Sequence, residues 1–341
     1  MVQEKSIKRS FITGITGMVG SHLADFLLEN TDWKIYGFCR WNDDFTNLRH
    51  LFDRINNNDR ITIIYGDLND YASVSSAVRD SSPDYIFHLA AQSYPKTSFS
   101  APLETLQTNI IGTANVLESI RSIDIDPVVH ICASSEVFGR VSQEDVPIKE
   151  DCIFHPASPY AISKVGTDLL GRFYAEAYDL KIMTTRMFTH TGPRRGDVFA
   201  ESTFAKQIAM IEEGIQAPIV KVGNLDSMRT WSDVRDAVRA YYMLVTINPI
   251  PGEYYNIGGS FSCSVKEMLS YLLSLSSRDD IEVMVEEARL RPIDADLQIP
   301  CTEKFENHTG WRPEISFEKT MKDLLNYWRN RVKNEKIFLS R

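Results

Sequence analysis

Phe11-Ile12-Thr13-Gly14-Ile15-Thr16-Gly17-Met18-Val19-Gly20 joins a short apolar run to a turn with glycine at every third position, and the amphipathic stretch His22–Glu29 follows. A strand, a tight turn and a helix are the simplest reading. The glycines admit the turn and let backbone approach a pyrophosphate held at the positive end of the helix. Three glycines alone say little, because a loop-capping turn uses the same residue. What surrounds them decides the matter.

Strand-like runs recur at Lys34–Cys39, Ile61–Tyr65, Tyr85–Leu89, Val128–Cys132 and Ile182–Met187, with helical patterns at Tyr71–Arg79, Leu103–Ile120 and Pro159–Tyr178 between them. Strand and helix in alternation give βαβ units, and βαβ units give a parallel sheet with helices on both faces. After about residue 190 the rhythm breaks. The stretch 191–231 is rich in Gly, Pro, Arg and Asn; Trp231–Thr246 reads as a helix and Glu253–Ile257 as one more strand. Helical patterns at Ser264–Leu273 and Phe317–Val332 flank a polar stretch, 288–313. The fold class is α/β: a doubly wound parallel sheet over 1–190 plus 232–257, and a smaller, discontinuous α/β substrate domain from 191–231 plus 258–341.

A net charge of −9 opposes general nucleic-acid binding, which needs a basic face. The five cysteines, Cys39, Cys132, Cys152, Cys263 and Cys301, are scattered without a close pair, which suits a reducing cytoplasm and suggests neither a disulfide frame nor a metal site. No uncharged apolar run is long enough for a bilayer, and no apolar signal core precedes the first strand, so a cytoplasmic, membrane-free protein is expected.

With the α/β context in place, Gly14, Thr16, Gly17, Met18, Val19 and Gly20 are candidate dinucleotide-binding residues. The second strand ends in Cys39-Arg40, where NAD usually meets an acidic side chain. A guanidinium there suits the 2′-phosphate of NADP, making NADP the expected cofactor and NAD the lesser one. Asp67 and Leu68 fall near the adenine, and Leu89, Ala90 and Ala91 flank the cofactor backbone.

Tyr160 and Lys164 stand four residues apart at the start of a helix, so phenol and ammonium share a face. A neighbouring cation favours the phenolate, and the pair can take a hydroxyl proton while hydride leaves for a nicotinamide. The spacing recurs by chance on many helices. Here it follows Ala133-Ser134-Ser135-Glu136, at the carboxyl end of a strand where α/β ligands bind. Ser134 can hydrogen-bond a reacting oxygen, and Glu136 is a candidate base.

Carrying these residues, the chain resembles the extended short-chain dehydrogenase/reductase family, with its Rossmann-type sheet, along essentially its whole length. Within that family it resembles the GDP-sugar 4,6-dehydratases and the GDP-4-keto-6-deoxymannose reductases. The matching segments are Thr13–Gly20, His88–Gln92, Thr108–Thr113, Ser134–Gly139, Tyr160–Lys164, Gly192–Arg195, Gly223–Arg229, Arg291–Asp294 and Gly310–Pro313. The resemblance implies a catalytic set of Ser134, Glu136, Tyr160 and Lys164, with Ser134 standing where threonine is usual. It implies Arg229 and Arg291 at nucleotide phosphates, Asp294 at a ribose, and guanine read by the segment containing Phe199 and Lys206.

Thr189 stands where the family usually carries a sugar-facing asparagine. The segments 92–99, with Ser93, and 291–296 look most like GDP-N-acetylglucosamine 4,6-dehydratases of bacterial legionaminic acid synthesis. The loop from Gly37 to Arg49 resembles one that reaches a neighbouring subunit's cofactor, implying a homotetramer if not a homodimer, although Trp41 replaces its usual arginine. A reductase, a C4 dehydrogenase or epimerase on the same scaffold, and a non-catalytic NADP-binding regulator are the alternatives.

Overall fold

A computed structural model describes residues 7–335. Its first six strands are β1 (Arg9–Thr13), β2 (Lys34–Cys39), β3 (Ile61–Tyr65), β4 (Tyr85–His88), β5 (Val128–Cys132) and β6 (Ile182–Met187). Then come β7 (His190–Thr191), β8 (Ile219–Val222), β9 (Met228–Asp233), β10 (Tyr254–Ile257), β11 (Phe261–Ser264), β12 (Glu282–Val285) and β13 (Leu297–Gln298). Seven strands form one parallel sheet in the order β10-β6-β5-β4-β1-β2-β3. The chain winds outward from β1 to β3, then crosses to β4 on the other side of β1. That reversal leaves a crevice at the carboxyl ends of β1 and β4, where ligands of such sheets sit.

Strand alternation assigns the two faces of β1. Ile12 joins Leu23, Leu27 and Tyr241 in one core, while Phe11 joins Phe38, Val74 and Val116 in the other. A separate core gathers Phe204, Ile208, Val222, Met268, Leu325 and Trp328 around β9, β11 and β13 and the β8–β12 pair. Phe305 and Trp311, late in the chain, return to the first core.

Three expectations change. Trp231–Thr246 is not one helix: Met228–Asp233 is β9, and the helix begins at Val234, where the Asp233 side chain caps by accepting from Arg235 N. The stretch 191–231 contains an unforeseen helix, Ala200–Glu212, whose buried Phe204, Ile208 and Ile211 carry the helical period. The helical pattern over 103–120 is helix from Pro102 to Ile123, with a π-helical turn at Gln107–Ile111.

The helix Pro159–Tyr178 keeps its expected bounds for local reasons. Pro159 occupies its first turn, and the Ser158 hydroxyl accepts from Ala161 N at 3.0 Å. It is tied to β6 by a buried ion pair, Arg186 Nε to Asp168 Oδ2 at 2.8 Å.

Candidate active site

The glycine turn leaves no room for side chains. At Gly14, with φ of +73°, a Cβ would lie 2.9 Å from Ala90 Cα; at Gly20 it would lie 2.3 Å from the Gly14 carbonyl oxygen. The helix Met18–Asn30 starts without a side-chain cap and without an acidic residue in its first turn. Its leading N–H groups are therefore left for an anion, as a pyrophosphate requires. At the end of β2, Arg40 Nε donates to Asp43 Oδ1 at 2.9 Å, and the Arg40 side chain remains 63% exposed. Asp43 lines the same cleft. A 2′-phosphate brought to Arg40 would have to share it with this carboxylate.

Opposite the glycines, a buried network shapes the Leu89–Ala91 turn. Thr13 Oγ1 accepts from Leu89 N and Ala90 N, both at 3.0 Å, which fills its lone pairs. Its proton then goes to His88 Nδ1 at 2.9 Å. His88 Nε2 consequently carries the ring hydrogen and donates to Thr113 Oγ1 at 3.0 Å, which donates to the Asn109 carbonyl at 2.6 Å. Burial, with Lys164 nearby, pushes the His88 pKa down to about 3, so the ring is neutral. Asn109, in the π-helical turn, donates to the Gln92 carbonyl and to Ser163 Oγ, and Ser163 donates to the Tyr160 carbonyl. One amide thus ties the loop after β4 to the helix bearing Tyr160.

Tyr160 and Lys164 are both buried, at 8% and 5% exposure, yet both line a cleft of ≈ 1420 Å³. Burial pushes the phenol above its ordinary value, while the neighbouring Ser134 hydroxyl acts against that shift. Ser134 Oγ accepts from Glu136 N at 3.2 Å, which leaves its proton for the Tyr160 oxygen. Lys164 is pushed below its ordinary value by burial, and its Nζ donates to the Cys132 carbonyl at 2.8 Å. Glu136 sits in a short 3-10 turn, Ser135–Val137, two residues beyond Ser134, and lines the same cleft. A hydrogen-bonding serine, a phenol, an ammonium and a carboxylate on one wall can pair proton removal at a hydroxyl with proton removal at a neighbouring carbon.

Gly14, Thr16, Gly17, Met18, Val19, Gly20, Arg40, Asp67, Leu68, Leu89, Ala90 and Ala91 share this cleft, as do Ser93, Thr189, Phe199, Arg229, Arg291 and Asp294. Asp294 Oδ1 lies 3.5 Å from Arg229 Nη2 and 3.4 Å from Arg291 Nη1. The carboxylate holds two guanidiniums side by side, an arrangement suited to two adjacent phosphates. Lys206 departs from the expectation. It does not line the cleft; its Nζ meets Asp197 Oδ2 at 2.8 Å and lies over the Trp328 ring on the face of its helix turned to the small core.

Three cleft residues and one buried residue that braces them carry no role in the sequence reading. The Arg195 guanidinium lies 3.4 Å from the Phe199 ring centroid, and Tyr94 meets Phe199 edge-on at 5.9 Å. Arg195 also acts electrostatically on Tyr160, favouring the phenolate. His190 lines the cleft, and burial with Arg195 holds its pKa down at about 4. Asn109 is the fourth. Segments 108–113 and 192–195 are legible as family motifs, but no spacing in them reveals what Asn109 or Arg195 touches.

The model of the family described as GDP-mannose 4,6 dehydratase matches residues 11–324. A GDP-mannose 4,6 dehydratase of Arabidopsis thaliana is 31% identical over 98% of this chain and 93% of its own. A GDP-6-deoxy-D-mannose reductase of Pseudomonas aeruginosa is 28% identical over 96% and 99%. Among solved structures, that of RMD from Pseudomonas aeruginosa complexed with NADPH shares 27% identity and a TM-score of 0.80, covering 95% of this chain and 99% of that one. With a match that runs through the glycine turn, the Ser-Ser-Glu segment and the Tyr–Lys helix, the chain belongs to the GDP-mannose 4,6-dehydratase family of extended short-chain dehydrogenases/reductases.

Proposed function

We propose that the protein is an NADP-dependent hydro-lyase acting on a GDP-sugar, converting it to the 4-keto-6-deoxy sugar. The observation that carries this is Glu136 on the same cleft wall as Ser134, Tyr160 and Lys164. Bound NADP supplies a hydride acceptor at C4 and the hydride that later reaches C6. Ser134 orients the C4 hydroxyl, and Tyr160 takes its proton. Lys164, buried beside Cys132, supplies positive charge at that wall. The 4-keto group acidifies the C5 hydrogen, which Glu136 removes as the C6 hydroxyl leaves as water; a proton then returns to C5. Arg229 and Arg291, gathered by Asp294, hold the diphosphate, and Phe199 and Thr189 face the nucleoside and the sugar.

Thr189 in place of asparagine, and the resemblance of 92–99 and 291–296, favour GDP-N-acetylglucosamine over GDP-mannose, hence a place in legionaminic acid and cell-surface polysaccharide synthesis. We assign 1–190 plus 232–257 to the NADP-binding domain and 191–231 plus 258–341 to the nucleotide-sugar domain, with the exception that the segment carrying Phe305 and Trp311 packs in the first core; residues 1–6 and 336–341 lie outside the described residues. Exposed Ile162, Leu169 and Phe173 lie at helical spacing on the Pro159–Tyr178 helix, which supports a homo-oligomer. The cysteines, none disulfide-bonded, support a cytoplasmic enzyme, and among the described residues no helix is long and apolar enough to cross a membrane. Similarity to the Pseudomonas reductase over nearly its full length favours a 4-keto reductase as the second reading. Incubation with a panel of GDP- and UDP-sugars, read by product mass, tests both. Loss of one water from GDP-N-acetylglucosamine without net NADPH use is the expected result.

A further inference from the structure

The segment 286–294 spans the mouth of the cleft like a strap. Both of its ends are pinned to the small domain: Glu286 N donates to the Val222 carbonyl at 2.9 Å, and Met228 N donates to the Asp296 carbonyl at 2.8 Å. Its near end is drawn in by Glu286, whose carboxylate meets Arg289 Nε at 2.7 Å and Lys221 Nζ at 3.3 Å. Gly223 permits this, since a Cβ there would lie 2.9 Å from the Arg289 carbonyl oxygen. The outer side chains Leu290 and Ile293 are each 46% exposed. Across the cleft, Lys96 of the Pro95–Ser100 helix reaches over with its Nζ to donate to the Ala288 carbonyl at 2.7 Å.

We infer that the strap is the closing element of the nucleotide-sugar cleft and that the Lys96–Ala288 bond is its latch. The bond joins residues 192 apart in sequence, through an exposed lysine on one rim and a backbone carbonyl on the other. A bond between two pinned walls resists their separation, whereas a bond within one wall would not. Arg291 and Asp294 ride on the strap, so opening it withdraws the groups proposed to hold the diphosphate. The latch gives the proposed reaction what it needs, retention of a sugar between oxidation at C4 and hydride return at C6. This inference rests on the nucleotide-sugar reading for its ligand but not for its geometry.

The test uses the full-length protein as Lys96→Met, which removes the donor and keeps the stem, and as Lys96→Arg, which restores a donor. Hydrogen exchange of the amides in 287–293 is followed without ligand, and release of GDP is followed by stopped flow. Lys96→Met is expected to speed strap exchange and GDP release about tenfold, and Lys96→Arg to return both toward wild type, because one charge-assisted bond is lost and regained. Unchanged strap exchange in Lys96→Met overturns the latch, as does faster exchange with unaltered GDP release. If wild type fails to bind GDP, the nucleotide reading falls, and the exchange data still decide the latch.

Discussion

Lys164 Nζ donates to the Cys132 carbonyl at 2.8 Å, so the catalytic helix grips the last residue of β5. Two residues further along, Ser134 Oγ accepts from Glu136 N at 3.2 Å, and its hydroxyl opposes the rise that burial imposes on the Tyr160 phenol. The helix is therefore clasped to the strand end, with Glu136 in the turn between strand and cleft. For the base proposed at Tyr160, the rise that burial imposes on the phenol is opposed by Ser134 and Arg195. The Ser134 hydroxyl, whose oxygen already accepts from Glu136 N, keeps its proton to stabilise a phenolate.

Tyr160→Phe should lower kcat by about 10²–10⁴-fold while GDP-sugar affinity changes little, since general-base catalysis contributes about that much. Turnover and calorimetric binding of the variant check this. Retention of more than about a tenth of wild-type rate would remove Tyr160 from the role.

Arg40 and Asp43 make cofactor choice a competition. Arg40→Ala should weaken NADP by about 10–100-fold and NAD by less than about twofold, because only NADP carries the 2′-phosphate. Asp43→Asn should act oppositely, tightening NADP by relieving the carboxylate that takes Arg40 Nε. Fluorescence titration with both cofactors gives the four constants. Parallel losses for NADP and NAD in Arg40→Ala would show that Arg40 does not read the phosphate.

Much of this was legible in the sequence because it is local. The strand Val128–Cys132 and the helix Pro159–Tyr178 announce their bounds through apolar runs, Pro159 and the Ser158 cap. The Asn109 network was not legible, because it joins residues 17 and 54 positions apart through a π-helical turn that has no periodic signature. Trp231 misled for a related reason. It lies in β9, paired to β7, β11 and β13, and only those distant partners distinguish it from the first turn of the helix that begins three residues later. Lys206 shows the same limit on the site: sequence places it on a helix, but packing against Trp328 decides which way that face turns.

Acid should unfold the protein through its buried histidines. His88 is neutral in the fold, with its pKa pushed down to about 3, against about 6.5 when exposed. Between those values the unfolded chain binds a proton that the native chain refuses, so stability is intact above about pH 6.5 and falls as pH drops below it. From pH 7 to pH 5 the loss is about 2 kcal/mol for one such histidine. Denaturant melts across this range should show that fall, and His88→Gln should lessen the slope by about one proton. An unchanged slope in the variant would mean that His88 titrates normally in the fold.

Glu136→Gln separates elimination from redox. Glutamine keeps the size of the side chain and leaves the Glu136 N–H bond to Ser134 Oγ intact, so a purely structural Glu136 predicts near-normal turnover. If the carboxylate is the C5 base, the amide cannot take that proton, yet Tyr160 can still receive the C4 hydroxyl proton. The variant should then stop halfway, with reduced cofactor visible near its characteristic absorbance and a 4-keto sugar that retains its C6 oxygen. The overall rate should fall by about 10²–10⁴-fold, the range for loss of a positioned base. Solvent deuterium should enter C5 of the wild-type product and enter far more slowly with the variant. A 4-keto reductase predicts something different from either, since it needs no proton removed from C5 and consumes NADPH in net terms. Absorbance, product mass and deuterium content, measured together on one reaction mixture, distinguish the three. Normal water loss by Glu136→Gln would take the glutamate out of the chemistry.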